Sequence, residues 1–371
     1  MPALHCQLVC ASASDYLRQI YTGFGLLARR GVVKVELERG VQHASGRPRK
    51  HRLNVVLNGE ITICYDAGDR PALYEDDASV CDLYFKRSYD ATVVDRRSDR
   101  HRVRPLGFNY TVYGPGDAAL RRSYWLLREP KVWRESTAWR QLLRSIPVVS
   151  RLERSDGGRA ASSVEHFEDL PKLDPDPSVI FLARTWDPNE FRFGAERTEE
   201  REMINAMRAA CIRALRKEFG RTFVGGFAPS PHARANYPDC VVGAEIIRKP
   251  AYVRAMRRCA IGVATMGLFR TNGFKIAEYI AASKAIVGER MYHTVPGAFL
   301  PGVNFLEFAT ASECVDAVAT LRQDPVRRFA MMKANHDYYH AFLRPDMLVL
   351  NTLVQALELR PPSAALSPPS S

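Results

Sequence analysis

Residues 267–289, GLFRTNGFKIAEYIAASKAIVGE, gather in one stretch the residue types that bind a phosphorylated ligand. A loop of small and polar residues, Thr271, Asn272 and Gly273, opens onto a helical pattern, and the free amides and dipole of such a helix start hold phosphate oxygens. Lys275 and Glu278 are three apart and share a face. On that face the lysine can meet phosphate while the carboxylate, one turn further in, accepts hydrogen bonds from ribose hydroxyls. The alternative is an ordinary surface ion pair. Arg184 follows the apolar run SVIFLA, at the strand end that an open parallel sheet presents to its ligand, with a solvated arginine as the competing reading. Asp15, just after the first apolar run, is the early carboxylate placed for general-base chemistry, or else the cap of the helix that follows.

Metal chemistry has weaker support. Asp174 and Asp176 spell DxD, but a proline-rich stretch cannot present them from a strand. The acidic run YEDDAS (74–79) reads as a turn, with a cation site as the alternative. His336 and His340 have the i,i+4 spacing of a zinc pair, without an HExxH pattern or a third ligand. The eight cysteines are scattered singly with no CxxC, so they are read as reduced, Cys6 and Cys10 sharing a buried strand face. The expectation is no metal and no resident cofactor.

The elements that must position these groups alternate. LHCQLVC reads as a strand, DYLRQIYTGFGLLARRG as a helix with a glycine stop, VVKVELE as a second strand, and LNVVLNGEITICYD as one or two more. Residues 145–177 interrupt the pattern with Ser, Gly, Asp and Pro. A second series follows: SVIFLARTWDP, the helix EREMINAMRAACIRALRKEFG, RTFVGGF, AIGVATMGL, TNGFKIAEYIAAS and KAIVGE, with closing helices after residue 311. Trp186 and Asp187 are expected to fix the turn after Arg184. This places a first Rossmann-like domain at 1–150, a linker at 151–177, a second such domain at 178–360 and a disordered tail at 361–371.

The stretch 265–318 resembles the C-terminal donor-binding motif of GT-B glycosyltransferases, carried by Gly273, Glu278, the small-residue turn 281–283 and the strand 285–288, with weaker similarity over 178–345. The resemblance implies an α/β GT-B fold of two facing Rossmann-like domains with parallel sheets, a closing C-terminal helix that crosses back to the first domain, and a nucleotide-sugar donor as substrate. It implies that Glu278 binds ribose, that Arg184 neutralises the leaving diphosphate, and that Arg248 and Lys249 flank the nucleobase. Arg270 stands where many retaining members carry a second glutamate facing the sugar; an arginine there can hold phosphate instead. The segment 107–117 is expected to line the acceptor side of the cleft.

Charge and hydropathy set the partners. Of a net charge of +12, residues 96–144 carry 12 Lys/Arg against 4 Asp/Glu, and 121–144 mixes three tryptophans with these cations. That segment suits an anionic membrane surface, or else a core-packing helix with a basic outer face. No run is long and apolar enough to span a bilayer, and the start lacks a signal peptide, so a cytoplasmic protein, peripheral to the inner membrane face, is expected. The acceptor would be a bacterial surface glycan or a lipid-linked glycan. Two rivals remain: a nucleotide-sugar epimerase of the same fold, and a basic nucleic-acid-binding protein, the latter opposed by the absence of any nucleic-acid module.

Overall fold

The computed structural model describes residues 3–10, 14–39, 51–114, 162–190 and 197–359. The basic aromatic segment 121–144 and the tail 361–371 lie outside the described residues, as do residues 151–161 of the expected linker.

Two sheets organise the chain. The first contains β1 (Leu4–Cys10), β2 (Val33–Arg39), β3 (Arg52–Leu57), β4 (Ile61–Asp66), β5 (Leu83–Lys86) and β6 (Val103–Pro105), in the order β2-β1-β3-β4-β5-β6. It is parallel except at β3, which runs antiparallel to both β1 and β4. The cause is local. Asn58 and Gly59 both take positive φ, 52° and 74°, the backbone of a tight hairpin turn whose twist suits adjacent antiparallel strands. Strand β3 alternates half-buried and buried residues along its length, as a strand packed on one face must.

The second sheet contains β7 (Val179–Ala183), β8 (Phe223–Phe227), β9 (Ile261–Ala264), β10 (Ala285–Glu289) and β11 (Leu306–Phe308), all parallel, in the order β11-β10-β9-β7-β8. The expected architecture of two α/β sheets is therefore observed, with antiparallel β3 as the departure from parallel strands. In this sheet the chain reverses direction across the sheet between β7 and β9, and an α/β sheet opens its ligand crevice at that switch point, outside the carboxyl ends of the strands.

The helices that matter are α1 (Arg18–Arg29), α2 (Thr198–Phe219), α3 (Lys249–Arg258), α4 (Phe274–Ala281), α5 (Ala311–Gln323), α6 (Pro325–Tyr338) and α7 (Pro345–Glu358). Helix α4 lies close on β9 because Gly262 has no side chain: a Cβ there would meet the Tyr279 ring at 2.6 Å. After α6 a π-turn, Tyr339–Leu343, redirects the chain, and α7 docks on α1 in the first domain. Leu348, Val349, Leu353 and Ala356 join one apolar core with Leu17, Ile20, Phe24 and Leu27. Polar ties support it, Gln19 Nε2 donating to the Leu343 carbonyl at 2.8 Å and Arg30 pairing with buried Asp346. The closing helix thus crosses back as expected.

Three local expectations change. Asp15 does not cap its helix: Ser14 does, its Oγ accepting from the Tyr16 amide, while Asp15 opens a single 3₁₀ turn before α1. Of residues 107–114, expected to line the acceptor side, alternate ones turn into the core. Phe108, Tyr110 and Val112 are buried among second-domain side chains, Phe108 meeting Phe299 and Tyr110 meeting Phe167 edge to face, because aromatic rings gain most by leaving water. Within the stretch read as linker, 162–177 packs on the second domain: Val164 and Phe167 are buried, the Asp169 carboxylate sits against Lys172 and Lys284, and its carbonyl accepts from Ser283 Oγ at 2.6 Å.

Candidate functional site

The crevice at the switch point is built by α2, α3, α4 and the loop after β9. Its floor is Arg208 of α2, buried at 8% exposure, whose guanidinium donates to the carbonyls of Arg184 (2.7 Å) and Met266 (2.8 Å) and to Thr265 Oγ1 (2.9 Å). One side chain thereby ties the carboxyl ends of β7 and β9 together. Burial pulls Arg208 down to about 10, opposed by nearby Glu289. Glu289 accepts from the Met266 amide at 2.7 Å, and burial pushes its carboxyl up. Arg184 itself is exposed on the end of β7. In the turn beside it, the Trp186 amide and carbonyl are both bound by the Asn205 side chain, and Asp187 Oδ1 accepts from the Asn189 amide at 2.9 Å.

Above this floor Glu278 is 5% exposed. Its Oε1 accepts from Lys249 Nζ at 2.7 Å, and its Oε2 from Tyr252 Oη at 2.6 Å and Lys275 Nζ at 3.2 Å. Burial alone would raise this carboxyl, but Lys249 and Lys275 outweigh it and hold it down at about 2. Lys275 is drawn down to about 8, chiefly by its desolvated position, with Glu278 opposing and Lys249 and Arg184 adding to the fall. Its side chain still keeps 38% exposure and lies 3.4 Å from the centroid of the Tyr252 ring. The pair is therefore no plain surface ion pair. Two lysines and one carboxylate leave a net positive charge beside Arg184, at the mouth of a parallel sheet, which suits an anion.

The loop before α4 is unusual. Phe269 and Arg270 both adopt left-handed backbone, φ 61° and 55°, costly for residues with side chains and typical of functional turns. Glu200 Oε1 accepts from the Phe269 amide at 2.6 Å, and Arg197 stands 4.0 Å from the Phe269 ring centroid. Gly273 precedes the helix, where an added Cβ would meet the Thr265 carbonyl at 3.4 Å.

Of the residues singled out from sequence, Lys249, Lys275 and Glu278 meet directly, with Arg184 within their electrostatic reach. Thr271 is buried and Asn272 lines the loop, its Nδ2 donating to the His293 carbonyl at 3.3 Å. Arg248 is exposed at the cap of α3, touching the Glu278 cluster only through its carbonyl, which accepts from the Tyr252 amide at 2.9 Å, and Arg270 turns outward over the Tyr292 ring at 4.7 Å. Asp15 is largely exposed and pairs only loosely with Arg18 at 3.5 Å. The acidic run near 75 is structural: buried Asp77 is paired with Arg52, whose guanidinium covers the Tyr74 ring at 3.7 Å. His336 and His340 meet edge to face with centroids 4.5 Å apart, and His336 Nδ1 shares a hydrogen bond with Ser283 Oγ at 3.1 Å. Among the described residues, no group of three His, Cys, Asp or Glu side chains is gathered to hold a metal.

The facing edge of the first sheet supplies residues the sequence reading missed. Asp69, in the turn after β4 and 32% exposed, accepts from Tyr16 Oη at 2.9 Å and pairs with Arg87. Arg87 reaches the second domain. Behind them Asp66, Lys86 and Tyr84 form a buried polar triad, with Lys86 Nζ 2.7 Å and Tyr84 Oη 2.6 Å from Asp66 Oδ2. The only signal for Asp69 and Arg87 in the sequence is their place just beyond apolar strand runs, the position Arg184 also has.

No protein-family model matches the sequence, and no curated protein is detectably similar to it. Among solved structures, the C-terminal domain of a glycosyl transferase group 1 family protein (LpcC) from Francisella tularensis aligns with 48% of this chain and 96% of its own, at 14% identity and TM-score 0.33. Anabaena HepE in complex with UDP aligns over 95% of this chain and 98% of its own, at 11% identity and TM-score 0.39. A UDP-GlcNAc 2-epimerase from Neisseria meningitidis, bound to UDP-GlcNAc, aligns over 76% of this chain and 63% of its own, at 15% identity and TM-score 0.37. Likenesses this distant assign no substrate to the chain. The two-sheet α/β architecture with its crevice at a switch point stands on the strand order itself.

Proposed function

We propose that the protein is a glycosyltransferase that moves a sugar from a nucleoside-diphosphate donor to an acceptor. The observation that carries this reading is the buried Glu278, flanked by Lys249, Lys275 and Tyr252 where α4 enters the switch-point crevice. Three of the four acceptor sites of its carboxylate are taken, and the partly exposed Lys275 is the contact a ligand displaces most readily. A ribose hydroxyl then donates to Glu278 in its place, while Lys275 and Arg184 turn to the diphosphate and the α4 amides complete its cradle. Charge developing on the leaving diphosphate is met by fixed cations, which supports transfer without a metal.

The first domain takes the acceptor. Asp69 replaces Asp15 as the carboxylate offered for proton removal, because Arg87 links it to the loop before α4 whereas Asp15 points to solvent. A glycan or lipid-linked glycan acceptor, a bacterial surface polysaccharide as product, and attachment to an anionic membrane through 121–144 belong to this reading. Among the described residues no helix is long and apolar enough to cross a membrane.

Calorimetry and thermal shift with UDP, GDP, ADP and their nucleosides test it. One diphosphate at 100 times its Kd should stabilise the fold by about 2.7 kcal/mol, and its parent nucleoside should bind more weakly. Donor hydrolysis or transfer should then follow with the matching nucleotide-sugar. Conversion of donor alone to an epimer would make the protein an epimerase, and a salt-sensitive shift of random DNA without nucleotide binding would overturn the enzyme reading.

A further inference from the structure

One loop of the second domain is gripped from the first. Arg87, on the carboxyl end of β5 and 5% exposed, donates through Nη2 to the Asn272 carbonyl at 3.1 Å, while Asp69 holds its Nη1. The guanidinium carbon lies 4.8 Å from the Phe274 ring centroid and 5.4 Å from that of Tyr16, and these two rings meet edge to face at 5.1 Å. Arg70 stands 5.6 Å from the centroid of Phe269. The gripped loop is the one whose Phe269 and Arg270 are left-handed, a backbone that persists only where its surroundings over-determine it.

We infer that Arg87 is a positioning residue that sets, from the first domain, the entry of helix α4, so that the anion-binding geometry of this helix exists only while the two domains are engaged. A guanidinium suits the task. Its planar fork serves a carboxylate on one side and a backbone carbonyl on the other while its faces rest on aromatic rings, and no other side chain does all three. Asp69 fixes the arginine in its own domain, and the Asn272 carbonyl, two residues before Phe274, passes the constraint to the first turn of α4. Domain separation removes the donor from that carbonyl and the cation from the Phe274 ring together. The left-handed pair is then held only from within its own domain, by Glu200 and Arg197 at Phe269, by the Tyr292 ring under Arg270 and by the loop's own hydrogen bonds. The coupling itself does not require the function proposed above; its consequence for ligand binding rests on that reading.

Hydrogen–deuterium exchange of the full chain without ligand tests the coupling. Within the loop, the Gly267 amide donates to the Thr271 carbonyl, the Thr271 amide to that of Leu268, and the Phe269 amide to Glu200, so all three report its order. Arg87→Gln and Phe274→Leu should each speed exchange over 266–276 by about tenfold or more and leave β1, β3 and β10 unchanged. Arg87→Lys should fall between, since it restores charge without the fork. Wild-type exchange over 266–276 in folded variants overturns the inference. So does acceleration confined to 66–70 and 84–89, which would make Arg87 a prop of its own domain alone. If Arg87→Gln does not fold, Phe274→Leu decides. The same variants should lose about tenfold in affinity for whichever of UDP, GDP or ADP the wild type binds. Should the wild type bind none, the proposed function falls and the exchange result still judges the clasp.

Discussion

Glu278→Gln is the substitution whose cost the structure defines most directly. A carboxyl held at about 2 instead of its usual 4.5 favours the ionised form by about 3 kcal/mol, at ~1.36 kcal/mol per tenfold. Glutamine keeps the size and one acceptor but forfeits the charge, and Lys249 and Lys275 then repel each other across it. In a domain of this size about 3 kcal/mol corresponds to a melting temperature lower by about 6–12 °C. The sign is fixed by linkage. A depressed carboxyl contributes stability that is fully present above the unfolded value of 4.5 and is lost as pH falls through about 2. The gap between wild type and variant should therefore be widest at pH 5–7 and should narrow steadily below pH 4.5. Urea and thermal unfolding over that range, read by circular dichroism, measure it. A variant melting within 1 °C of wild type at pH 7 would refute the buried cluster, and a gap unchanged by acid would refute its electrostatic origin.

Other expectations follow from neighbouring geometry. Lys275→Met removes one of the two cations that hold Glu278 ionised, so it should lower the unliganded melting temperature less than Glu278→Gln does while weakening nucleoside diphosphate far more than nucleoside; equal losses for both would remove its assignment to phosphate. Arg184→Met should lower kcat more than it raises KM if that cation meets charge developing on the leaving group, and the reverse pattern would make it a ground-state ligand. At Gly23 a Cβ would overlap the Pro345 carbonyl and approach Val349 Cγ2 at 2.6 Å, so Gly23→Ala should push α7 from α1 at a cost of about 1–3 kcal/mol; an unchanged melting temperature would show that the closing helix is not docked there. His293, lowered to about 4 mainly by burial, takes up its proton less readily folded than unfolded, so the stability it costs appears as pH falls from 6.5 toward 4. His293→Asn should flatten stability across that window, and an unaltered slope would remove His293 as its source.

What the sequence shows of the fold is what local periodicity encodes. Helix α4 is legible because Ile276, Ala277, Tyr279 and Ile280 put one apolar surface on the sheet, and the parallel character of the second sheet follows from regular strand and helix alternation, though its strand order does not. The antiparallel β3 was signalled by Asn58-Gly59, a two-residue turn with both φ positive, but a turn signal gives way easily to the parallel pattern around it. The aromatic residues of 107–114 misled for a different reason. Their types fit both a glycan-binding wall and a core, and only their tertiary partners decide. Asp15 and Ser14 differ by one position, and cap geometry, with its side-chain oxygen reaching the Tyr16 amide, turns on backbone angles the sequence does not state.

The site divides along the same physical line. Lys275 and Glu278 share one helix face, so their meeting is a matter of three-residue spacing and can be read directly. Lys249 and Tyr252 reach the same carboxylate from α3, 29 and 26 positions away, and their approach depends on how two helices pack over β9. Arg208 is harder still. In sequence it is one of many arginines on a charged helix, and only its burial under two strand ends, where three oxygens must be satisfied, separates it from the solvated ones. Arg87 joins the domains across 185 positions. An ion that costs much to desolvate is kept in such a place only when enough partners meet it, so buried arginines whose donors end on strand-end carbonyls mark the crevice, and the sequence alone cannot distinguish them from surface charge.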